Sequence, residues 1–294
     1  MSPLPAEDRL IPLLTRSWKT GGDVRVGPGD DCAVLRLGGK TLLFKTDAVV
    51  EGVHFLPATP APLAGRKALA RAVSDVAAMG GRPTHALVTL ALPPRTAAAR
   101  VAGLYKGLSA LAEECGVALV GGETTRAPRL LLSISLLGLC AAAPVLRSGG
   151  KPGDDLWVTG PLGRNATRAG KNHHLRFTPR LKEGAWLARN RAAHAMMDLS
   201  DGLAADLPRL AQASRCGFRL DPALLARAAA SGATPAQALQ AGEDYELLFA
   251  APPRLRARLE RWPFPHAPCR IGALTAPGRG QSPRTLGHGF DHFA

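Results

Sequence analysis

Leu42-Leu43-Phe44-Lys45-Thr46-Asp47-Ala48-Val49-Val50-Glu51-Gly52-Val53-His54-Phe55 is the stretch on which the fold turns. Leu42 to Phe44 reads as a short apolar strand running into the polar pair Thr46-Asp47. Leu63 to Gly80 then reads as a helix, with Leu69, Val73, Val76 and Gly80 on one face and Gly80-Gly81 as its stop. His85 to Leu92 is a strand that ends at Pro93-Pro94. Thr96 is placed to cap a second helix, with Val101, Leu104, Tyr105, Leu108 and Leu111 as its stripe and Gly116 as its C-terminal cap. Val117 to Val120 is a strand leading into Gly121-Gly122-Glu123-Thr124-Thr125, and Leu130 to Leu139 is another.

The composition changes at Ala141 to Pro144, and Arg147-Ser148-Gly149-Gly150-Lys151-Pro152-Gly153-Asp154 is rich in turn residues. The domain boundary is placed there, giving residues 1–143 and 144–294. The second half opens on the strand Leu156 to Thr159, and a polar stretch runs to Pro179. A helix near Leu181 to Arg191 and the strand Ala195 to Leu199 follow. After Ser200-Asp201-Gly202 a helix runs to Ser214, with Pro208 as a point where it could break in two.

A chain of 294 residues holds one large domain or two, at about 100–200 residues per domain, and needs no disulfide or structural metal to fold. The net charge of +14 suggests an anionic partner. It is mostly Arg, and it is dispersed with no block of like charge, which argues against a dedicated nucleic-acid groove. Five scattered cysteines without a CxxC point to a reducing compartment rather than a zinc ribbon. No signal-peptide pattern opens the chain. The longest uncharged run, between Arg129 and Arg147, alternates Ser133 and Ser135 with apolar residues and reads as a strand. The expectation is a cytoplasmic protein off the membrane.

The carboxylates stand in unusual places. Asp30-Asp31 follows Gly27-Pro28-Gly29, Asp47 follows an apolar strand, and Asp75 lies inside an apolar helix. Glu123 follows two glycines, Asp198 and Asp201 flank the end of a strand, and Glu243-Asp244 and Glu246 share one turn. Each has a bland reading alone: a turn for Asp30-Asp31, an Arg71 partner for Asp75, a helix cap for Ser200-Asp201. Together they imply compensating cations, since burying an unpaired charge is costly. An all-oxygen donor set suits magnesium, and magnesium with arginine points to polyphosphate chemistry. There is no Walker A sequence and no protein-kinase motif.

Read in order, these segments resemble the thiamine-monophosphate kinase family, within the superfamily of aminoimidazole ribonucleotide synthetase (the PurM-like fold). The resemblance rests on Gly29-Asp30-Asp31-Cys32-Ala33-Val34, Thr46 to Phe55, Ser74-Asp75-Val76-Ala77-Ala78-Met79-Gly80 and Gly121 to Thr125. It continues through Arg147-Ser148-Gly149, Lys151-Pro152-Gly153-Asp154, Val158-Thr159-Gly160, Met197 to Leu203, Gly242 to Leu247 and Gly289-Phe290-Asp291-His292-Phe293.

The resemblance implies a two-domain α/β (α+β) protein, a homodimer whose N-terminal strands close a barrel across the interface, and a C-terminal α/β domain. It implies ATP-dependent phosphorylation of thiamine monophosphate to thiamine diphosphate with several magnesium ions. Carried over by position, Asp31, Thr46, Asp47, Asp75, Glu123, Asp198 and Asp201 would bind magnesium, with Asp30 as an extra ligand. Gly122, Glu123, Arg147 and Ser200 would contact ATP, and His54, Glu243 and Phe290 would hold thiamine monophosphate. The family usually has Asp where Glu123 stands, and Ser or Thr where Lys45 stands. The acceptor is already an anion, so no general base or covalent nucleophile is nominated. The alternatives are a selenophosphate synthetase-like or hydrogenase-maturation-like relative, or a basic binding protein of this fold without catalysis.

Overall fold

The computed structural model describes residues 7–287 and 290. The first half comprises α1 (Glu7–Thr15), β1 (Val24–Val26), β2 (Ala33–Leu37), β3 (Lys40–Val50), α2 (Ala61–Ala78), β4 (Arg82–Leu92), α3 (Ala98–Cys115), β5 (Ala118–Arg126) and β6 (Leu131–Cys140). Its strands form one six-stranded sheet in the order β1-β2-β3-β6-β4-β5. All neighbours are antiparallel except β4 and β5, which α3 connects as a parallel crossover.

The second half comprises β7 (Asp155–Val158), α4 (His173–Arg176), α5 (Leu181–Arg189), β8 (Ala195–Asp198), α6 (Leu203–Ala213) and β9 (Gly217–Leu220). α7 (Pro222–Ala228), α8 (Pro235–Gln240), β10 (Leu247–Ala251), α9 (Arg256–Glu260) and β11 (Cys269–Thr275) complete it. Its five-stranded sheet, β8-β10-β7-β11-β9, is antiparallel throughout. Strands β7 and β10, and β8 at the edge, are buried along their whole length, as a sheet covered on both faces requires.

α2 is the pivot of the molecule. Alanines such as Ala68, Ala72 and Ala77 bury it on nearly every side, so it packs against β3, β6 and α3 and also against α5 and β8 of the second half. Its approach to α3 is close enough to need glycine. A Cβ on Gly65 would stand 1.9 Å from the Leu104 carbonyl oxygen, and one on Gly107 would stand 1.8 Å from that of Pro62. Gly116 ends α3 in the left-handed conformation, φ 68°, as the sequence predicts.

Four local expectations change. The strand around Leu42 runs from Lys40 to Val50, so Asp47 lies within β3. Thr96 does not cap α3: its hydroxyl bonds the Pro93 carbonyl, and Ala97 takes the cap position without a side-chain bond. α6 continues through Pro208 as one helix, which starts at Gly202 rather than being capped by Ser200-Asp201. Arg71 does not pair with Asp75 but reaches across to Asp47 on β3.

Candidate active site

Three carboxylates from distant parts of the chain converge between the two halves. Asp31 precedes β2, Asp75 comes from α2 and Asp198 ends β8; one oxygen of each lies within 4.8 Å of the others, and all three residues are buried. The Ser74 hydroxyl donates to Asp198 at 2.5 Å, which ties α2 to the second sheet. Asp31 Oδ2 is buried without a hydrogen-bond partner among the described residues. Burial pushes the Asp75 carboxyl well above its usual range, and Lys45 opposes that shift. Burial and the neighbouring Asp31 push Asp198 up to about 7, against the Ser74 hydrogen bond, and the same two causes push Asp30 up to about 6.

Three cations hold the acids. Lys45 Nζ lies 3.1 Å from Asp75 Oδ2. Burial alone would lower its pKa, but Asp75 and Asp47 outweigh burial and keep it charged. Arg71 grips both oxygens of Asp47 at 2.9 and 3.3 Å. Arg147 donates from Nη2 and Nε to Asp31 at 2.5 and 3.2 Å, while its backbone N–H bonds Asp30 at 3.1 Å.

Sheet register separates the other expected ligands. Asp47 pairs through Ile134 and Val88 with Gly122, and this row faces the helix-covered core. Ala48 pairs through Ser133 and Thr89 with Glu123, so that row and Thr46 face the open side, where the Thr46 hydroxyl meets Ser133. Glu123 is exposed on β5, three strand spacings or roughly 14 Å from β3. Gly122 has φ 153°, and a Cβ there would stand 1.9 Å from the Val88 carbonyl oxygen, so only glycine fits. Asp201 is held by Arg209 at 2.5 Å.

Beside the acids lies a cavity of about 440 Å³. His54, Glu243 and Phe290 line it, together with Ser200, Asp201 and Arg71. His54 Nδ1 accepts the Val50 amide at 3.1 Å, which leaves the ring proton on Nε2. Glu243 sits in the left-handed region, φ 63°, on a turn whose next residue, Asp244, accepts the amides of Gly163 and Arg164. The fully buried Lys67 of α2 bonds Glu243 at 2.5 Å and the His54 carbonyl at 2.6 Å, and its Nζ lies 2.8 Å from His174 Nδ1. Burial alone would raise the Glu243 pKa, but hydrogen bonds and charge from His174 and Lys67 hold it at about 2. Tyr245 completes the wall, stacked on Phe177 at 3.9 Å between ring centres.

Lys67 and His174 are the residues that sequence reading passes over, and Arg71 is read there only as a partner for Asp75, not as the one that grips Asp47. A lysine in an otherwise alanine and leucine face of α2 was the available signal, since burying it demands a partner. His174 lies in the polar stretch before Pro179, where no pattern stood out. His288, Gly289, Asp291, His292 and Phe293 fall outside the described residues.

Residues 29–140 match the family described as AIR synthase related protein, N-terminal domain, and residues 151–282 match the corresponding C-terminal domain. Thiamine-monophosphate kinase of Escherichia coli K12 is 38% identical, with 92% of this chain and 93% of that protein covered. The Salmonella typhimurium protein of the same name is 40% identical over 81% of this chain and 80% of its own length. A solved structure of AaThiL complexed with AMPPCP and TMP superposes with a TM-score of 0.83 at 30% identity, covering 98% of this chain and 97% of that one. The chain belongs to the thiamine-monophosphate kinase family.

Proposed function

We propose that this protein transfers the terminal phosphoryl group of ATP to the phosphate of thiamine monophosphate, giving thiamine diphosphate and ADP. The observation that carries the reading is the juxtaposition of the buried Asp31, Asp75 and Asp198 with a cavity holding His54, Glu243 and Phe290. The kinship supports the same chemistry, since a relative's structure holds AMPPCP and TMP together.

The acid cluster fits magnesium. Its donors are all oxygens, and the unpartnered Asp31 Oδ2 is a buried acceptor awaiting a cation. Asp31, Asp75 and Asp198 would hold the ion, with Asp30, Asp47 and Asp201 as further oxygen donors; Thr46 and Glu123, on the open face of the sheet, stand apart from this cluster. Bound there, magnesium screens the charge of the donor triphosphate.

Lys45 and Arg147 stand at the same acids as fixed cations, with Arg71 beside them on Asp47. They lower the repulsion between two phosphate groups brought in line. Arg71 lines the acceptor cavity while gripping Asp47, so it marks the end of the cavity that takes the acceptor phosphate. Glu243, ionised through its Lys67 partner, faces the thiazolium cation, and Phe290 offers an aromatic face. Gly122, Arg147 and Ser200 contact ATP. Because the acceptor oxygen already carries charge, no residue needs to take a proton from it.

A second copy of the chain belongs against the open face of the first sheet, where Phe44 of β3, Leu87 of β4 and Val120 of β5 are exposed. Among the described residues no helix is long and apolar enough to cross a membrane, in keeping with a cytoplasmic enzyme. All five cysteines are free thiols.

The direct test incubates the purified protein with magnesium-ATP and thiamine monophosphate and separates the products by chromatography. Thiamine diphosphate formed in step with ADP is the expected result. ADP release without thiamine diphosphate, or no turnover of either substrate, overturns the reading. Light scattering at twice the chain mass is the expected result for the pair.

A further inference from the structure

A second cavity lies elsewhere in the molecule. It holds about 1260 Å³ and lies at the far end of the first sheet, between the start of β3, the end of β6, the end of α2 and helix α5. Arg25, Arg36, Lys40, Arg82, Lys182 and Arg189 line it, and no aspartate or glutamate does. None of these six side chains has a carboxylate partner among the described residues; the Arg36 guanidinium bonds the Thr41 hydroxyl and that of Arg189 a carbonyl of its own helix. Val34, Leu139, Leu146 and Leu181 give the cavity an apolar wall.

We propose that this cavity binds an organic polyphosphate, a nucleotide-sized molecule with an apolar or aromatic body and two or more phosphates. Six unbalanced cations around a low-dielectric recess focus a positive field, and a multiply charged anion gains most from it. The apolar wall suits a base or ring, and the volume exceeds the roughly 300–1,000 Å³ that serves drug-sized ligands, so a nucleotide fits. The position links the cavity to the catalytic cleft. Leu146 lines it, and the next residue is Arg147, which grips Asp31. Gly80 and Gly81 line it at the end of the helix that carries Asp75. A molecule seated there touches both segments that place the acid cluster, so its occupancy biases the cleft without entering it.

The proposal uses none of the cleft residues and does not rest on the kinase reading. The test keeps the two sites apart by removing divalent ions. With chelator present the acid cluster repels phosphates, while the cavity keeps its charge. AMPPNP is titrated into the intact protein in chelator by calorimetry, with a 20-nucleotide single strand as a second probe.

The expected result is one AMPPNP site per chain, weakening as salt rises. It should be weakened at least tenfold in the double variant Arg82→Glu, Lys182→Glu and unchanged in Asp75→Asn. The double variant alters exposed side chains, so its melting temperature and magnesium-dependent turnover without added effector should match the parent. No AMPPNP binding in chelator, or equal binding by parent and double variant, overturns the proposal. Binding of the oligonucleotide alone, lost in the double variant, overturns it in favour of a nucleic-acid surface.

Discussion

Strand β3 begins in one chemical environment and passes into its opposite. Lys40 and Thr41 line the basic cavity, and Lys45 and Asp47, roughly 17 and 24 Å beyond Lys40 at the ordinary strand rise, lie among the carboxylates. In the cleft every named cation has a carboxylate: Lys45 with Asp75, Arg71 with Asp47, Arg147 with Asp31. In the cavity none of the six does among the described residues. The lesson is that the +14 net charge is not one property. Paired cations hold acids in position across the cleft, and unpaired cations are open to a ligand.

The strongest way to break this contrast is to remove a carboxylate from the paired end. Asp75→Asn should lower thiamine diphosphate formation by about 10³-fold while leaving the circular dichroism spectrum unchanged. Turnover within tenfold of the parent would mean that the cluster does not serve the reaction.

Next comes the buried pair beside the cluster. Lys67→Met leaves Glu243 without its cation and should cost about 3 kcal/mol or more in urea unfolding, with a raised KM for thiamine monophosphate. Adding Glu243→Gln should return part of the stability but not the KM. Recovery of both would make the pair purely structural.

A smaller effect is expected at Lys45. Lys45→Thr exchanges a fixed cation for an oxygen donor beside Asp75. Calorimetry should then count one more divalent ion per chain, and the magnesium needed for half-maximal turnover should rise about tenfold, in line with a change of about 1.4 kcal/mol. An unchanged ion count would show that Lys45 does not stand in for a metal.

The smallest effect concerns pH. Glu243 is held at about 2 against an ordinary 4.5. A depressed carboxylate contributes stability that is present above 4.5 and is lost as pH falls through about 2. KM for thiamine monophosphate should therefore show no Glu243 titration between about pH 5 and about pH 8. A titration in that range that disappears in Glu243→Gln would contradict the role of Lys67 and His174.

Much of the first sheet was readable from residue order, because alternation and helical stripes are local signals. Helix α2 was found within two residues at each end, and Gly116 as the cap of α3. The motifs carrying Asp31, Asp75 and Asp198 were each visible, but their meeting was not, since it depends on how α2 packs against β8. The partners were misread for the same reason. Arg71 stands one turn from Asp75 in sequence, yet the helix turns it toward β3 and Asp47, and Lys45 takes Asp75 instead. Thr46 and Glu123 share a motif with Asp47 and Gly122, but the two-residue period of a strand sends adjacent side chains to opposite faces. The basic cavity left no trace in sequence, because its cations come from segments more than 150 residues apart.

Lys67 has one more consequence. Helix α2 belongs to the first half, yet the counter-ion of its buried lysine is Glu243, far along the second. Ser74 likewise has its acceptor across the same divide, on Asp198. A gene cut near codon 145 would yield an amino-terminal fragment with an orphan ammonium in its interior, and that fragment should fold only when its complement is supplied.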